Sequence, residues 1–198
     1  MASHKSASLG FVVVNRWPTV VQLLPRAIFN DRADSGTVNG VPAEYTEQRG
    51  TPYGMVRFDA YNPDEFAPCL EGPWSTLVAI DLATGTKKWE TPAGVLPKFA
   101  NHSQAANWGS PLNLGGPMVT RGGVVFLATH FDAKIHGFNA HSGALLWSNA
   151  LPAQPQATPM SYSLNEIDHV VVTAGGWDAV DKKARGDYVV AFRLSAAK

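Results

Sequence analysis

One cysteine, Cys69, is all the chain contains, so it has no internal disulfide, no CxxC metal pair and no CxxCH haem attachment. Charge is scarce and balanced: 16 basic residues stand against 16 acidic ones and the formal net charge is zero, which leaves no basic footprint for nucleic acid. No stretch approaches 18 uninterrupted apolar residues, so no transmembrane helix is expected, and Met1-Ala2-Ser3-His4-Lys5 lacks the apolar core of a signal peptide. That absence would ordinarily point to the cytoplasm, but it equally fits a chain whose front is missing. No G-x-G-x-x-G follows a β-like run, which argues against a nicotinamide cofactor. Asp168-His169 has no serine in a G-x-S-x-G context to serve, which argues against a hydrolase.

Glycine and proline are plentiful instead, 18 and 14 of 198 residues, and they punctuate short β-forming runs. The clearest pattern lies between Leu114 and Gly176. Runs at 117–120, 124–129, 135–139 and 144–148 are separated by Arg121-Gly122-Gly123 and His141-Ser142-Gly143, turns in which glycine supplies the positive φ that a tight connection requires. Four antiparallel strands in so short a span, closing on a tryptophan, form the pattern of one propeller blade. The pattern recurs. Asp81-Leu82-Ala83-Thr84-Gly85 with Trp89 repeats as Asn139-Ala140-His141-Ser142-Gly143 with Trp147, both Gly–Gly and Trp–Trp offset by 58 positions (143 − 85 and 147 − 89). A third partial copy, Tyr188-Val189-Val190-Ala191-Phe192-Arg193-Leu194, matches Leu77-Val78-Ala79-Ile80-Asp81-Leu82, and Gly116-Pro117-Met118 is echoed by Thr158-Pro159-Met160. Trp89 and Trp147 are expected to dock one blade on the next.

In chain order, 9–15 and 19–24 read as strands, 31–48 as a polar surface excursion, and Gly50-Thr51-Pro52-Tyr53-Gly54 as the start of a blade interrupted at 62–72. The long Pro/Asn/Gly-rich connection from 92 to 114 reads as functional, and its Phe99 and Trp108 argue for packing rather than disorder. Gly175-Gly176 after a buried strand allows a close backbone approach. His130, Asp132 and His136 would share one face of an ideal strand, yet zinc needs further ligands and nothing supplies them.

Several of these segments, in this order, carry a resemblance: Gly50-Thr51-Pro52-Tyr53-Gly54, Ala67-Pro68-Cys69, Leu114-Gly115-Gly116-Pro117, Ala128-Thr129-His130-Phe131-Asp132, Leu151-Pro152-Ala153, Gln156-Ala157-Thr158-Pro159-Met160, Ala174-Gly175-Gly176 and Gly186-Asp187-Tyr188-Val189-Val190-Ala191. Together they resemble the C-terminal part of the membrane-bound pyrroloquinoline quinone (PQQ) dehydrogenases, the glucose and quinate/shikimate group. The resemblance implies an all-β fold, a partial β-propeller of about three four-stranded antiparallel blades out of eight. It makes residues 1–198 one C-terminal portion, with blades at about 9–49 (partial), 50–92, 114–152 and 153–194. It further implies PQQ with Ca2+ or Mg2+ held by residues outside this chain, and an alcohol or polyol substrate that loses a hydride to the quinone. Ubiquinone would be the electron acceptor, the rest of the propeller a necessary partner, and the periplasmic face of the inner membrane the location. The family's metal ligands, its general-base Asp and its cofactor-stacking Trp have no counterpart here, so no catalytic residue is assigned and the isolated chain is expected to be inactive.

Residue by residue, the resemblance sets Leu114, Gly115 and Gly116 in a loop whose backbone meets the quinone edge. It sets Asp132 beside the cofactor, and Trp177 where the glucose enzymes carry a His. An indole cannot accept or shuttle a proton as an imidazole does, and the loop at 178–185 is one residue longer. Both departures imply a substrate other than glucose, a quinate-like compound or another polyol. Plain structural roles compete at each position: Asp132 as a turn cap, Trp177 as blade-end packing, the glycines as an ordinary turn. The alternative function is a non-catalytic propeller scaffold that binds protein partners.

Overall fold

The computed structural model describes residues 1–4, 7–32, 36–38, 40–176 and 185–193. Two compact units make up the chain, one from Met1–Arg16 with Gly72–Lys198, the other Trp17–Glu71. The larger unit holds three antiparallel sheets. The first runs, in hydrogen-bonding order, Ala2–His4, Leu9–Asn15, Ser75–Asp81, Lys87–Pro92; the second runs Met118–Val119, Val124–Thr129, Lys134–Asn139, Leu145–Ala150. The third has Met160–Leu164, Ile167–Ala174 and Tyr188–Arg193. Alternation along the strands decides what each face meets. Leu9, Phe11, Leu77 and Ala79 of the first sheet bury against Val125, Leu127, Phe138 and Ala140 of the second. Ala128 and Ile135 on the second meet Val172 and Ala174 of the third. Fully burying each of the larger side chains contributes about 1.5–3 kcal/mol, so these two seams hold the unit together. Nearly all of the described structure is β, arranged as the expected partial propeller.

The repeat seen in the sequence is a repeat of geometry. Asp81 Oδ1 accepts from the Ala83 and Thr84 N–H groups, and Asn139 Oδ1 accepts from those of His141 and Ser142. Each turn then closes on a glycine, at φ 71° for Gly85 and 72° for Gly143, whose N–H donates back at 2.8 Å to Asp81 O or Asn139 O. The tryptophans dock as expected. Trp89 Nε1 donates to Ala140 O at 3.0 Å across the first seam, and Trp147 stands edge-on to Phe192 across the second, centroids 5.1 Å apart. Environment separates the two glycines: a Cβ on Gly143 would lie 2.7 Å from the Trp89 ring, whereas one on Gly85 meets nothing within 4 Å. Gly85→Ala should therefore cost about 1–2 kcal/mol for the left-handed backbone alone, and Gly143→Ala clearly more, because the tryptophan must also shift. Denaturant midpoints of the two variants check this.

The division into blades at 9–49 and 50–92 does not follow the observed pairing. Leu9–Asn15 pairs along its whole length with Ser75–Asp81. Between them, the second unit forms its own sheet in the order Thr19–Pro25, Tyr53–Asp59, Val41–Glu47, Thr37–Val38. The stretch read as a polar excursion contributes two of those strands and the end of the helix Arg26–Arg32. Leu24, Phe29 and Val56 form this unit's core, with Val38, Ala43 and Tyr45 against it. Local β signals are alike for strands of either unit, so the sequence could not show which strands pair.

Candidate functional site

The connection after the first sheet is packed, not slack. A 3-10 turn at Pro97–Phe99 and the short helix Ala105–Trp108 bring Phe99 and Trp108 onto Trp74, with ring centroids 6.3 and 5.3 Å from it. This places Asn113, 2% exposed, among buried polar groups of the first two sheets. Its backbone N–H donates to Asn15 Oδ1 and its carbonyl accepts from Asn15 Nδ2. Its own Nδ2 donates to Ser75 Oγ at 2.9 Å and Ala93 O at 3.2 Å, while its Oδ1 accepts from the His130 N–H at 3.1 Å. One side chain thus bonds three buried groups, of which Ala93 O also accepts from Ser110 N–H at 2.7 Å.

Asp132 sits in the turn after Val124–Thr129, beside Ala133 at φ 48°. Its carboxylate is nearly closed off from solvent and already engaged. Oδ2 accepts from the Val95 N–H at 3.1 Å, Oδ1 accepts from the Thr129 hydroxyl, and His136 Nε2 lies 3.5 Å from Oδ2. Thr129 has one proton and it goes to the carboxylate, so its 2.9 Å contact with His136 Nε2 requires a proton on that nitrogen. Asp132 therefore holds the connection and the turn in place from beneath. His136 joins it, whereas His130 turns away, its Nδ1 facing Pro155 O at 3.2 Å.

Burial holds the His130 imidazole below its ordinary pKa near 6.5, against the opposing pull of the Pro155 carbonyl and the Asp132 charge. The sign follows directly. The unfolded chain takes up this proton near pH 6.5 and the folded chain resists it, so the stability His130 contributes is present above that pH and is lost as pH falls. Chemical denaturation at pH 7 and pH 5 should show the loss, at most about 1.4 kcal/mol per pH unit for one proton, and His130→Gln should flatten it.

Leu114 is 48% exposed. Gly115 is buried against the loop before the third sheet: a Cβ there would lie 2.8 Å from Ala157 O. Gly116 N–H donates to Thr158 Oγ1 at 2.9 Å. The same loop borders an open cavity of about 350 Å3 lined by Gln154, Gln156, Ala157, Thr173, Gly175 and Gly176. Two of the stretches singled out in the sequence, the Leu114 loop and Gly175-Gly176, thus meet around one loop. Trp177, the third, lies outside the described residues, as does the segment 178–184. Gly115, set by the resemblance at the quinone edge, packs in this chain against the 156–157 backbone. Asn113, His130 and His136 went unassigned as site residues; asparagine in a Pro/Asn/Gly-rich stretch looks like any turn residue.

Sheets stacked through a repeated tryptophan, with a polar connection over their ends, define a β-propeller sector. Comparison with known proteins gives the family: the profile described as PQQ, glucose/ethanol/alcohol dehydrogenase, beta-propeller domain matches residues 1–170, and the chain belongs to it. It is 35% identical over 187 residues to the quinoprotein glucose dehydrogenase of Escherichia coli (strain K12), covering 89% of this chain and 23% of that protein. It is 32% identical over 198 residues to the quinate/shikimate dehydrogenase (quinone) of Acinetobacter baylyi, covering 97% and 24%. The chain therefore spans about a quarter of the length of these relatives. Among solved structures, the quinohemoprotein alcohol dehydrogenase from Comamonas testosteroni superposes with a TM-score of 0.51 at 18% identity over 94% of this chain and 24% of that one, a likeness of fold. Among the described residues, no helix is long and apolar enough to cross a membrane.

Proposed function

We propose that the protein supplies one sector of a PQQ-dependent, quinone-reducing dehydrogenase acting on a sugar, polyol or cyclic hydroxy acid at the periplasmic face of the inner membrane. The observation that carries the reading is that the Leu114–Gly116 stretch and Gly175-Gly176 both contact the 154–158 loop, part of which lines a cavity with no charged side chain among the described residues, in a chain of this family. The fit to the cofactor is that of one wall. Exposed Leu114 offers apolar cover to a flat ring system, and the glycines keep side chains out of its way. Among the described residues, no charged side chain lines this cavity and no group of three metal-type ligands occurs. In this reading the partners of the cofactor's carboxylates and of Ca2+ or Mg2+ come from the rest of the propeller, as the resemblance implies. The chemistry such a cofactor would supply is acceptance of the substrate's hydride, with ubiquinone as the onward electron acceptor.

The chain's own residues bind and hold. Gly115, locked against Ala157, fixes the height of the Leu114 loop. Asp132, through Val95 N–H and Thr129, keeps the neighbouring connection from moving. Further blades also fit the third sheet, which leaves apolar side chains in the open, Val189 at 69% and Met160 at 54% exposure. The test uses this chain joined to the part of the Escherichia coli relative that it does not match. There, Leu114→Asp should weaken PQQ binding about tenfold, by setting a carboxylate against a carboxylate-bearing cofactor. Unchanged binding would remove Leu114 from the cofactor wall.

A further inference from the structure

The sheet of the second unit ends on an open strand. Thr19–Pro25 pairs with Tyr53–Asp59 on one side only, over its whole length and without a register shift. At the two ends of this ladder, Ala60 N–H donates to Pro18 O at 2.8 Å and Arg26 N–H donates to Pro52 O at 2.9 Å. Hydrogen-bonded pairs alternate along an antiparallel ladder, so Val20, Gln22 and Leu24 bond inward. Thr19, Val21 and Leu23 therefore turn both N–H and C=O outward, away from the sheet. Val21 and Leu23 are each more than half exposed. Residues 19–24 carry no charge, proline or bulge. Such an edge is a template for another strand.

We infer that this edge is an interaction surface for a second copy of the chain, the two Thr19–Pro25 strands pairing antiparallel about a two-fold axis at Val21. In that register Val21 opposes Val21, and Thr19 opposes Leu23 in both directions, so every outward N–H meets an outward C=O. Sliding the strands two residues either way sets Thr19 against Pro25, which has no N–H, or Leu23 against Trp17, beyond the strand. Charge favours a copy over a charged segment. The strand brings none, and Arg57 and Arg26 beside it are already paired, with Glu44 at 3.1 Å and Glu47 at 3.2 Å. Two copies meet without repulsion, while an acidic or basic partner finds no counter-charge on the strand. The inference is independent of the dehydrogenase reading.

The test is sedimentation equilibrium of the chain alone and of the chain joined to the unmatched part of its Escherichia coli relative. Both should dimerise with a dissociation constant on the order of 10 µM, since one strand pair buries less than a standard interface. Val21→Lys sets two lysines directly opposite each other and should weaken the dimer at least about tenfold, with an unchanged circular dichroism spectrum. The register has its own readout. With the exposed Cys69 replaced by Cys69→Ser, Val21→Cys should form a disulfide-linked dimer on mild oxidation, because opposed Cα atoms in a hydrogen-bonded pair lie about 5.5 Å apart. Leu23→Cys, also at an exposed position, should not, since it opposes Thr19. Monomers throughout, a dimer indifferent to Val21→Lys, or cross-linking at Leu23→Cys as readily as at Val21→Cys would overturn the inference. So would a dimer of the chain alone that is absent from the joined protein, because the other blades would then cover the edge. Neither readout involves PQQ, so the dehydrogenase reading can fail while the dimer stands.

Discussion

Asn113→Ala should lower stability by about 3 kcal/mol, because it removes hydrogen bonds from several buried groups at once. Ala93 O, His130 N–H and Ser75 Oγ all lose a bond to this one carboxamide. Each neutral buried group left unsatisfied costs about 1–3 kcal/mol, and some relaxation of the loop returns part of it. For a chain of this size that is a fall in melting temperature on the order of 10 °C. Asn113→Asp is the sharper variant. It keeps the shape and the acceptor for His130 N–H, but sets a carboxylate oxygen against the Ala93 carbonyl. If the side chain were merely a turn former, Asp would be tolerated; the network predicts that it is not.

Phe11→Ala should be comparably damaging, at about 3–5 kcal/mol. Phe11 is fully buried, on the face of Leu9–Asn15 turned to the second sheet, with its ring 5.9 Å from that of Trp89. Truncation opens a cavity in the seam between two blades, and neither sheet can collapse into it without breaking strand pairs. Leu146→Ala, at a position 56% exposed on the outer strand of the second sheet, removes similar chemistry and should change stability by less than about 0.5 kcal/mol. Urea unfolding of both variants measures the contrast. Equal effects would mean that the seam is not the core.

The two positions differ in how readable they were. Phe11 lies in an apolar run that declares itself as a strand, and the turn glycines Gly85 and Gly143 with their tryptophans gave away the repeat, because positive φ and a large docking side chain leave marks at fixed spacing. What the sequence does not reveal is partner choice. Leu9 pairs with Asp81 across the whole of the second unit, and no periodicity encodes a contact at that separation. Site chemistry follows the same division. Gly115 was marked through the resemblance, but its packing against Ala157 O was not legible. The roles of Asn113, His130 and His136 depend on which buried groups lie beside them, which only the fold decides. Asp132 shows both sides: its position was marked, and its engagement with Val95, Thr129 and His136 was not.

The most direct measurement is a PQQ titration, with Ca2+ or Mg2+ present, of this chain alone and of the chain joined to the unmatched part of its Escherichia coli relative. The account predicts saturable one-to-one binding by the joined protein and none by the chain alone. Tight, saturable binding by the chain alone, or no binding by a folded joined protein, would contradict it.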